Sequence, residues 1–196
     1  MRGQHRESSM KRVIIVHCWD GNPEYCWYPW LKRELEAKGV EVIVPAMPET
    51  SMPKMNLWVP ALAEIVGKPD ENTILVGHSI GCATIMRYLE TLGETERIGG
   101  AVFIAGFTTD LGFEEIHNFF ETPLNFQKIR SHLSRMVSIH SDDDPFVDLK
   151  YATILAEELG AKTTILEKMK HFSGSVDNEK SCVILPQALD AVMNML

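Results

Sequence analysis

The sequence predicts a three-layer α/β/α fold built around a mostly parallel sheet of about six strands. Short apolar runs, each long enough for one buried strand, alternate about six times with segments whose apolar residues recur at helical spacing. This alternation implies a parallel sheet with helices on both faces. The chain has 196 residues, which suits one domain with a substantial core.

Each predicted strand is bounded by turn formers or by the polar start of a helix. The predicted strands are residues 13–16, 40–44, 74–76, 99–105, 136–140 and 162–166. The predicted helices are residues 28–38, a helix around 58–66, one from about 80 to 89, two short helices at 114–120 and 125–133, one at about 152–159, and one at 185–196. Pro60 should lie in the first turn of its helix, where its missing N–H costs nothing.

The composition excludes several classes of protein. A formal charge of −8 argues against nucleic acid and anionic membranes as partners, and no apolar run approaches the roughly 20 residues of a membrane span. Residues 1–9 are polar and are expected to form a disordered extension or an added tail, with the domain at 10–196. They lack the apolar core of a secretory signal.

The cysteines contain no C-x-x-C pair and do not cluster with histidines. A zinc site is therefore not expected, and neither is any other metal or cofactor. Reduced thiols in a cytoplasmic protein are the favoured interpretation. The residues concerned are Cys18, Cys26, Cys82 and Cys182.

The stretch Gly-His-Ser-Ile-Gly at residues 77–81 follows the third predicted strand and precedes a helix. A serine in this context, with glycines two residues away on either side, is a nucleophile elbow. The turn should force Ser79 into a sparsely allowed backbone conformation, and side chains at positions 77 and 81 would collide with neighbouring chain. We therefore predict Ser79 as a nucleophile. A plain turn that uses glycine only for turning is the alternative.

A serine hydroxyl needs an adjacent base, and histidine is the usual one. His171 follows the last predicted strand, where the chain order Ser, Asp, His places the base, so we predict it in that role. An ordinary loop histidine is the alternative. His78 lies inside the elbow, and its ring should point away from Ser79. The other histidines lie in the extension, at strand ends or on helices of the 106–135 segment: His5, His17, His117, His132 and His140.

The carboxylate that orients His171 should come from the loop after the preceding strand. That loop contains Asp142, Asp143 and Asp144. Pro145 disfavours a helical conformation at Asp144 and keeps it extended, so we predict Asp144 first, Asp143 second and Asp142 third. A solvated acidic turn is the alternative. More distant candidates follow the fourth strand: Asp110 and Glu114.

Cleavage of an ester or amide also needs N–H donors for the developing oxyanion. The backbone of Ile80, the residue after the serine, should supply one. The loop after the first strand should supply the other, from Trp19 first and Cys18 second. A substrate pocket is expected near these loops, although aromatic residues are more often plain core. Its candidate lining is Cys18, Trp19, Trp27, Trp30 and Phe107.

Several motifs together resemble α/β hydrolases and, more narrowly, the small serine hydrolases typified by retinoblastoma-binding protein 9. They extend over nearly all of the chain from Met10: P-A-M-P at 45–48, W-V-P at 58–60, I-L-V-G-H-S at 74–79, M-R-Y-L-E-T at 86–91, T-D-L-G at 109–112 and D-D-P-F at 143–146. The resemblance implies an α/β-hydrolase fold without a large cap and the triad Ser79, Asp144 and His171.

Two departures from that family concern backbone conformation. Lys170 stands where the family often has glycine, and Cys18-Trp19-Asp20-Gly21 stands where it commonly has a glycine-rich run. The expected function is cleavage of a small ester or amide through an acyl-enzyme. A catalytically weak protein that binds a protein partner is the alternative class, and thioester or carbon–carbon cleavage would use the same triad. The short 106–135 segment predicts a shallow site.

Overall fold

The computed structural model describes residues 10–174 and 182–196, and within them six strands form one sheet. The strands are β1 (Arg12–Val16), β2 (Glu41–Ile43), β3 (Thr73–His78), β4 (Gly100–Ile104), β5 (Met136–Ser141) and β6 (Lys162–Leu166). They lie in the order β2-β1-β3-β4-β5-β6, and every neighbouring pair is parallel. The predicted α/β fold with a parallel sheet of about six strands is confirmed. The expected extension at 1–9 lies outside the described residues.

Seven helices occur in the described part of the chain. They are α1 (Tyr28–Glu36), α2 (Met55–Val66), α3 (Ile80–Thr91), α4 (Glu114–His117), α5 (Phe126–Ser131), α6 (Lys150–Leu159) and α7 (Pro186–Met193). The two short helices of the 106–135 segment are present but shorter than predicted. Asn125 caps α5, because its side chain accepts the N–H of Lys128 at 3.0 Å. None of these helices is both long and apolar enough to cross a membrane.

The helices cover both faces of the sheet. Along β1, Ile14 and Val16 pack into the core formed with α2, α3 and α6, whereas Val13 and Ile15 pack into the core formed with α1 and α7. A strand that is buried on both faces is apolar at every position, which explains the unbroken apolar runs in the sequence.

The strand order changes direction between β1 and β3. The chain runs from β1 outward to β2 and then returns to pair β3 with the other edge of β1. The connecting helices α1 and α3 lie on opposite faces, so the loops that follow β1 and β3 separate and leave a crevice. Ligands of open α/β sheets bind at such a point, outside the carboxyl ends of the strands.

The prediction for Pro60 is wrong. Helix α2 begins at Met55, so Pro60 lies inside it and not in its first turn. The missing N–H leaves the carbonyl of Asn56 without its helical partner. Pro60 and Asn56 are both exposed, so water can take the place of that partner.

Three buried histidines are held in the neutral form. Burial lowers the pKa of His78 from its ordinary value of 6.5 to about 3 and the pKa of His140 to about 4. Burial also lowers the pKa of His17. The fold therefore depends on these rings remaining uncharged.

We expect the protein to lose stability as the pH falls from 7.5 to 5. The pKa values of His78 and His140 are lower in the folded chain than in the unfolded one, so the unfolded chain takes up protons first. Stability therefore decreases below about pH 6.5, by roughly 2 kcal/mol at pH 5 for each of these two rings. Urea unfolding at both pH values measures the loss.

The variant His140→Leu should reduce that acid-induced loss by about 2 kcal/mol. The control is His117→Gln, because His117 is exposed and its bond with Asp110 raises its pKa, so its removal should not reduce the loss. An acid-induced loss in His140→Leu equal to that of the unaltered chain would contradict the prediction.

Candidate active site

The backbone at Ser79 has the strained conformation that the sequence predicts. Ser79 has φ 56° and ψ −121°, a region that residues with a side chain rarely adopt. A Cβ at position 81 would overlap the carbonyl of Val16, and one at position 77 would lie 2.8 Å from the backbone of Cys82. Only glycine fits at either place, so the expected collisions are real. The tight turn presents Ser79 at the amino end of α3.

Ser79, His171 and Asp144 form one hydrogen-bonded array. The Oγ of Ser79 lies 2.8 Å from Nε2 of His171, and Nδ1 of His171 lies 2.8 Å from Oδ2 of Asp144. All three side chains are buried, with the Asp144 side chain only 2% exposed. The three residues that the sequence selects from distant loops thus meet with the spacing needed for proton transfer.

Asp144 is fixed by its own loop. Its Oδ1 accepts the backbone N–H groups of Phe146 and Val147 at 2.9 and 3.0 Å. A carboxylate held in this way has little freedom to rotate, so it can keep the imidazole of His171 in one orientation and one tautomer.

The loop that carries His171 is tied to the loop after β5 by a ladder of bonds. Asp142 accepts the N–H of Lys168 at 2.8 Å, and Ser141 Oγ accepts the N–H of Met169 at 2.9 Å. Asp143 accepts the N–H of Lys170 at 2.9 Å. Asp142 and Asp143 are therefore not alternatives to Asp144, because they hold the backbone that precedes the histidine.

The contacts of Lys170 explain how a residue other than glycine can occupy the position before His171. Its φ is 48°, in the left-handed region that glycine adopts most easily, and Lys168 and Phe172 also have positive φ. The Nζ of Lys170 lies 2.8 Å from Asp143, and the hydrogen bond from Lys170 lowers the pKa of Asp143 to about 2. The strained loop is thus held by side-chain bonds that glycine could not make. This role of Lys170 was not predicted from the sequence.

The two residues whose backbone N–H groups are predicted to receive an oxyanion, Ile80 and Trp19, line the same cleft as Ser79. The N–H of Ile80 belongs to the first turn of α3, where a helix leaves its donors unpaired. Within the described residues, the N–H of Trp19 has no hydrogen-bond acceptor, although the next residue, Asp20, donates to Thr50. Cys18 was the second candidate, but its N–H donates to Oη of Tyr28 at 3.0 Å and is not available.

Ser79 lies in a cleft of about 280 Å³ with a mainly apolar lining. The cleft is lined by Cys18, Trp19, Asp20, Tyr25, Ser79, Ile80, Phe107, Leu111, Phe113, Ile116, Phe146, His171 and Ser173. The predictions for Cys18, Trp19 and Phe107 agree with this lining. Trp27 does not line the cleft, because it lies fully buried against Tyr28 in the core beneath α1. Trp30 packs against the same core.

The site is deeper than the shallow site that the sequence predicts. Ser79 keeps only 8% of its surface exposed. Although the 106–135 segment is short, it contributes Leu111, Phe113 and Ile116 to the wall, and large side chains give the cleft its depth.

Arg87 on α3 anchors this segment. Its Nε donates to the carbonyl of Phe119 at 2.7 Å, and a second nitrogen donates to the carbonyl of Thr122. Arg87 also pairs with Glu90 at 2.7 Å, and Glu90 accepts the N–H of Asn125 at 2.6 Å. The helix that begins at the elbow therefore also holds the wall of the cleft. This contact gives the M-R-Y-L-E-T motif a structural role.

The other candidates lie apart from the array. Asp110 is bonded to His117 at 2.7 Å in an exposed pair, and Glu114 is exposed at the start of α4. His17 accepts the N–H of Met47 at 3.0 Å and bonds to the carbonyl of Cys18, so it shapes the loop after β1.

Comparison with known proteins identifies the family. The sequence profile of a family described as serine hydrolase matches residues 13–180. The chain belongs to the serine hydrolase family. It is 30% identical to the serine hydrolase RBBP9 of Rattus norvegicus over 176 residues, which cover 88% of this chain and 92% of the relative. It is 31% identical to YdeN of Bacillus subtilis (strain 168) over 163 residues, covering 83% and 86%.

Solved structures agree with this assignment. The crystal structure of the ydeN gene product of B. subtilis matches with a TM-score of 0.88 and 29% identity, covering 95% of this serine hydrolase and 98% of that chain. A carboxylesterase of the thaumarchaeon Nitrososphaera gargenis matches with a TM-score of 0.70 at 14% identity, covering 95% and 89%. The second likeness shows the shared α/β-hydrolase fold alone. Together, the family and its relatives support hydrolase activity.

We expect Arg87→Met to destabilise the serine hydrolase by about 2 kcal/mol, because it leaves the buried carbonyl of Phe119 without its donor and removes the ion pair of the partly buried Glu90. The control is Lys32→Met, which removes an exposed pair with Glu36 and should cost less than about 0.5 kcal/mol. Urea unfolding at pH 7.5 measures both variants. Equal losses of unfolding free energy in the two variants would show that Arg87 does not anchor the 106–135 segment.

Proposed function

We propose that this protein hydrolyses small apolar esters or amides, with Ser79, His171 and Asp144 as its catalytic triad. The observation that carries the proposal is the continuous array from Ser79 Oγ through both nitrogens of His171 to Asp144, with each step at 2.8 Å. The strained backbone of Ser79 supports it, because strain of this kind persists at functional sites.

In the proposed reaction Ser79 Oγ attacks the carbonyl carbon of the substrate while its proton passes to Nε2 of His171. The negative charge that develops on the carbonyl oxygen is stabilised by the N–H groups of Ile80 and Trp19. His171 then gives its proton to the leaving group, which departs and leaves an acyl-enzyme. Water attacks the ester in the same way and restores Ser79.

The cleft supports an apolar substrate. Its walls are mostly aromatic and aliphatic, and the lining residues include one carboxylate, of Asp20, and one imidazole, of His171. An apolar acyl group would be removed from water there, whereas an anionic one would be desolvated beside Asp20. Thioester and carbon–carbon cleavage stay open as variants of the same chemistry.

A catalytically weak binding module is the second class of function. A scaffold has no use for a strained serine, a fixed carboxylate and unpaired N–H groups at one place, so the geometry favours the hydrolase. A protein partner and a cytoplasmic location stay predictions of the sequence.

The nucleophile can be tested with a fluorophosphonate probe. We expect the unaltered protein to gain the mass of one phosphonyl group and Ser79→Ala to gain none, measured by intact-protein mass spectrometry. Asp144→Asn should lower kcat by about 10³- to 10⁴-fold, because His171 would lose its orientation and tautomer. Labelling that persists in Ser79→Ala would refute the assignment of the nucleophile.

The substrate class can be tested with p-nitrophenyl esters of matched length. We expect the butanoate ester to exceed the acetate in kcat/KM by about tenfold, because two more methylene groups leave water at roughly 0.8 kcal/mol each. The hemisuccinate, which resembles the butanoate in length but carries a carboxylate, should be the poorest of the three. Equal values for the butanoate and the hemisuccinate would exclude an apolar acyl pocket.

A further inference from the structure

A buried chain of hydrogen bonds crosses the floor of the active site. The N–H of Cys18 lies 3.0 Å from Oη of Tyr28, which lies 2.7 Å from Nδ1 of His78. The other ring nitrogen, Nε2 of His78, lies 2.8 Å from the backbone carbonyl of His171. Tyr28 and His78 are fully buried, so water does not compete for these bonds.

The two ends of the chain, together with the neutral state of the buried His78 ring, fix the direction of every bond. A backbone N–H can only donate and a carbonyl can only accept, so Tyr28 accepts from Cys18, and Nε2 of His78 donates to His171. Nδ1 of His78 must then be the acceptor, which receives the hydroxyl hydrogen of Tyr28. One arrangement of hydrogens satisfies all four groups, and it contains His78 as the neutral Nε2–H tautomer.

The chain joins three of the loops that the proposed reaction uses. Cys18 directly precedes Trp19, the proposed oxyanion donor, and His78 directly precedes the nucleophile Ser79. The third loop carries His171. His78 bonds to Tyr28, which lies 50 residues earlier in the sequence, and to His171, which lies 93 residues later. No other described side chain bonds in this way to both the tyrosine of α1 and the loop after β6.

We propose that Tyr28 and His78 are positioning residues, which set the separation between the oxyanion donor and the catalytic base. The inference rests on the proposed function, because it assigns roles around that same reaction. Tyr28 and His78 do not touch the substrate in this scheme. They act through the backbones of Cys18 and His171.

Packing around the pair keeps it rigid. The ring of Trp27 packs edge-on against the ring of Tyr28, with the ring centroids 4.7 Å apart, and its centroid lies 5.7 Å from that of His78. The ring of His78 also lies 5.4 Å from the ring of His171. A charge on His78 would oppose the imidazolium that His171 becomes during the reaction. Burial keeps His78 neutral, since its pKa is lowered to about 3.

The first experiment compares Tyr28→Phe with Tyr88→Phe. Tyr88 is also buried, but its hydroxyl has no partner among the described residues, so its loss should leave kcat unchanged. Tyr28→Phe should lower kcat about 10- to 100-fold with little change in KM. Without the hydroxyl, the N–H of Trp19 and the ring of His171 would shift by a fraction of an ångström, and the two groups could not both be aligned with the transition state. The rate of fluorophosphonate labelling should fall in parallel.

A kcat and labelling rate within twofold of the unaltered protein in Tyr28→Phe would overturn the inference, as would an equal fall in Tyr88→Phe. If Ser79→Ala still abolished labelling in the same series, the proposed function would stand without the positioning role. Failure of the unaltered protein to label would instead reject the proposed function itself.

The second experiment needs no substitution at Tyr28 and so does not depend on the folding of that variant. Long-range ¹H–¹⁵N correlation spectra of the unaltered protein report the tautomer of each imidazole, and the His78 signals are assigned as those that His78→Gln removes. We expect the Nε2–H tautomer of His78 between pH 8 and pH 5. An Nδ1–H tautomer or an imidazolium at His78 in that range would overturn the hydrogen-bond chain.

Discussion

A side chain at position 81 would overlap the carbonyl of Val16, and the absence of one lets the amino end of α3 lie directly against the end of β1. This close approach of two backbones is the constraint on which the active site depends. It brings the elbow to the point where the strand order changes direction, beside the loop that contains Trp19. Ile80, the first residue of α3, lines the same cleft. A larger residue at position 81 would push Ser79 away from the loop that follows β1.

The remaining parts of the site are held by bonds between loops rather than within them. Asp142, Asp143 and Ser141 hold the backbone before His171, and the Tyr28–His78 pair holds the carbonyl of His171 itself. His171 is thus held from two sides, by an acidic loop at the surface and by a chain of hydrogen bonds in the core. Arg87 holds the cleft wall in the same manner.

Local patterns in the sequence were sufficient for the sheet and for the three residues of the array. The strands are continuous apolar runs, the elbow is defined by glycines within five residues, and Pro145 singled out Asp144 among three aspartates. The start of α2 was not predictable from Pro60, because an exposed helix tolerates an unpaired carbonyl that water can reach. The burial of Trp27 and the hydroxyl bond of Tyr28 were not predictable either. Both depend on contacts with residues that are far away in the sequence, and the apolar spacing of α1 assigns Tyr28 only to a helix face.

The residues with positive φ around His171 have a consequence for folding during synthesis. Lys168, Lys170 and Phe172 adopt backbone conformations that the isolated segment would not favour, and the loop after β5 holds that segment through hydrogen bonds to the N–H groups of Lys168 and Lys170. The elbow needs only the chain up to β4, where the carbonyl of Ile104 receives the N–H of Ser79. In a chain that emerges from the ribosome, the turn at Ser79 can therefore form well before the loop that contains His171. On the proposed assignment, the nascent protein therefore carries the hydroxyl of Ser79 without its base until the last strand joins the sheet.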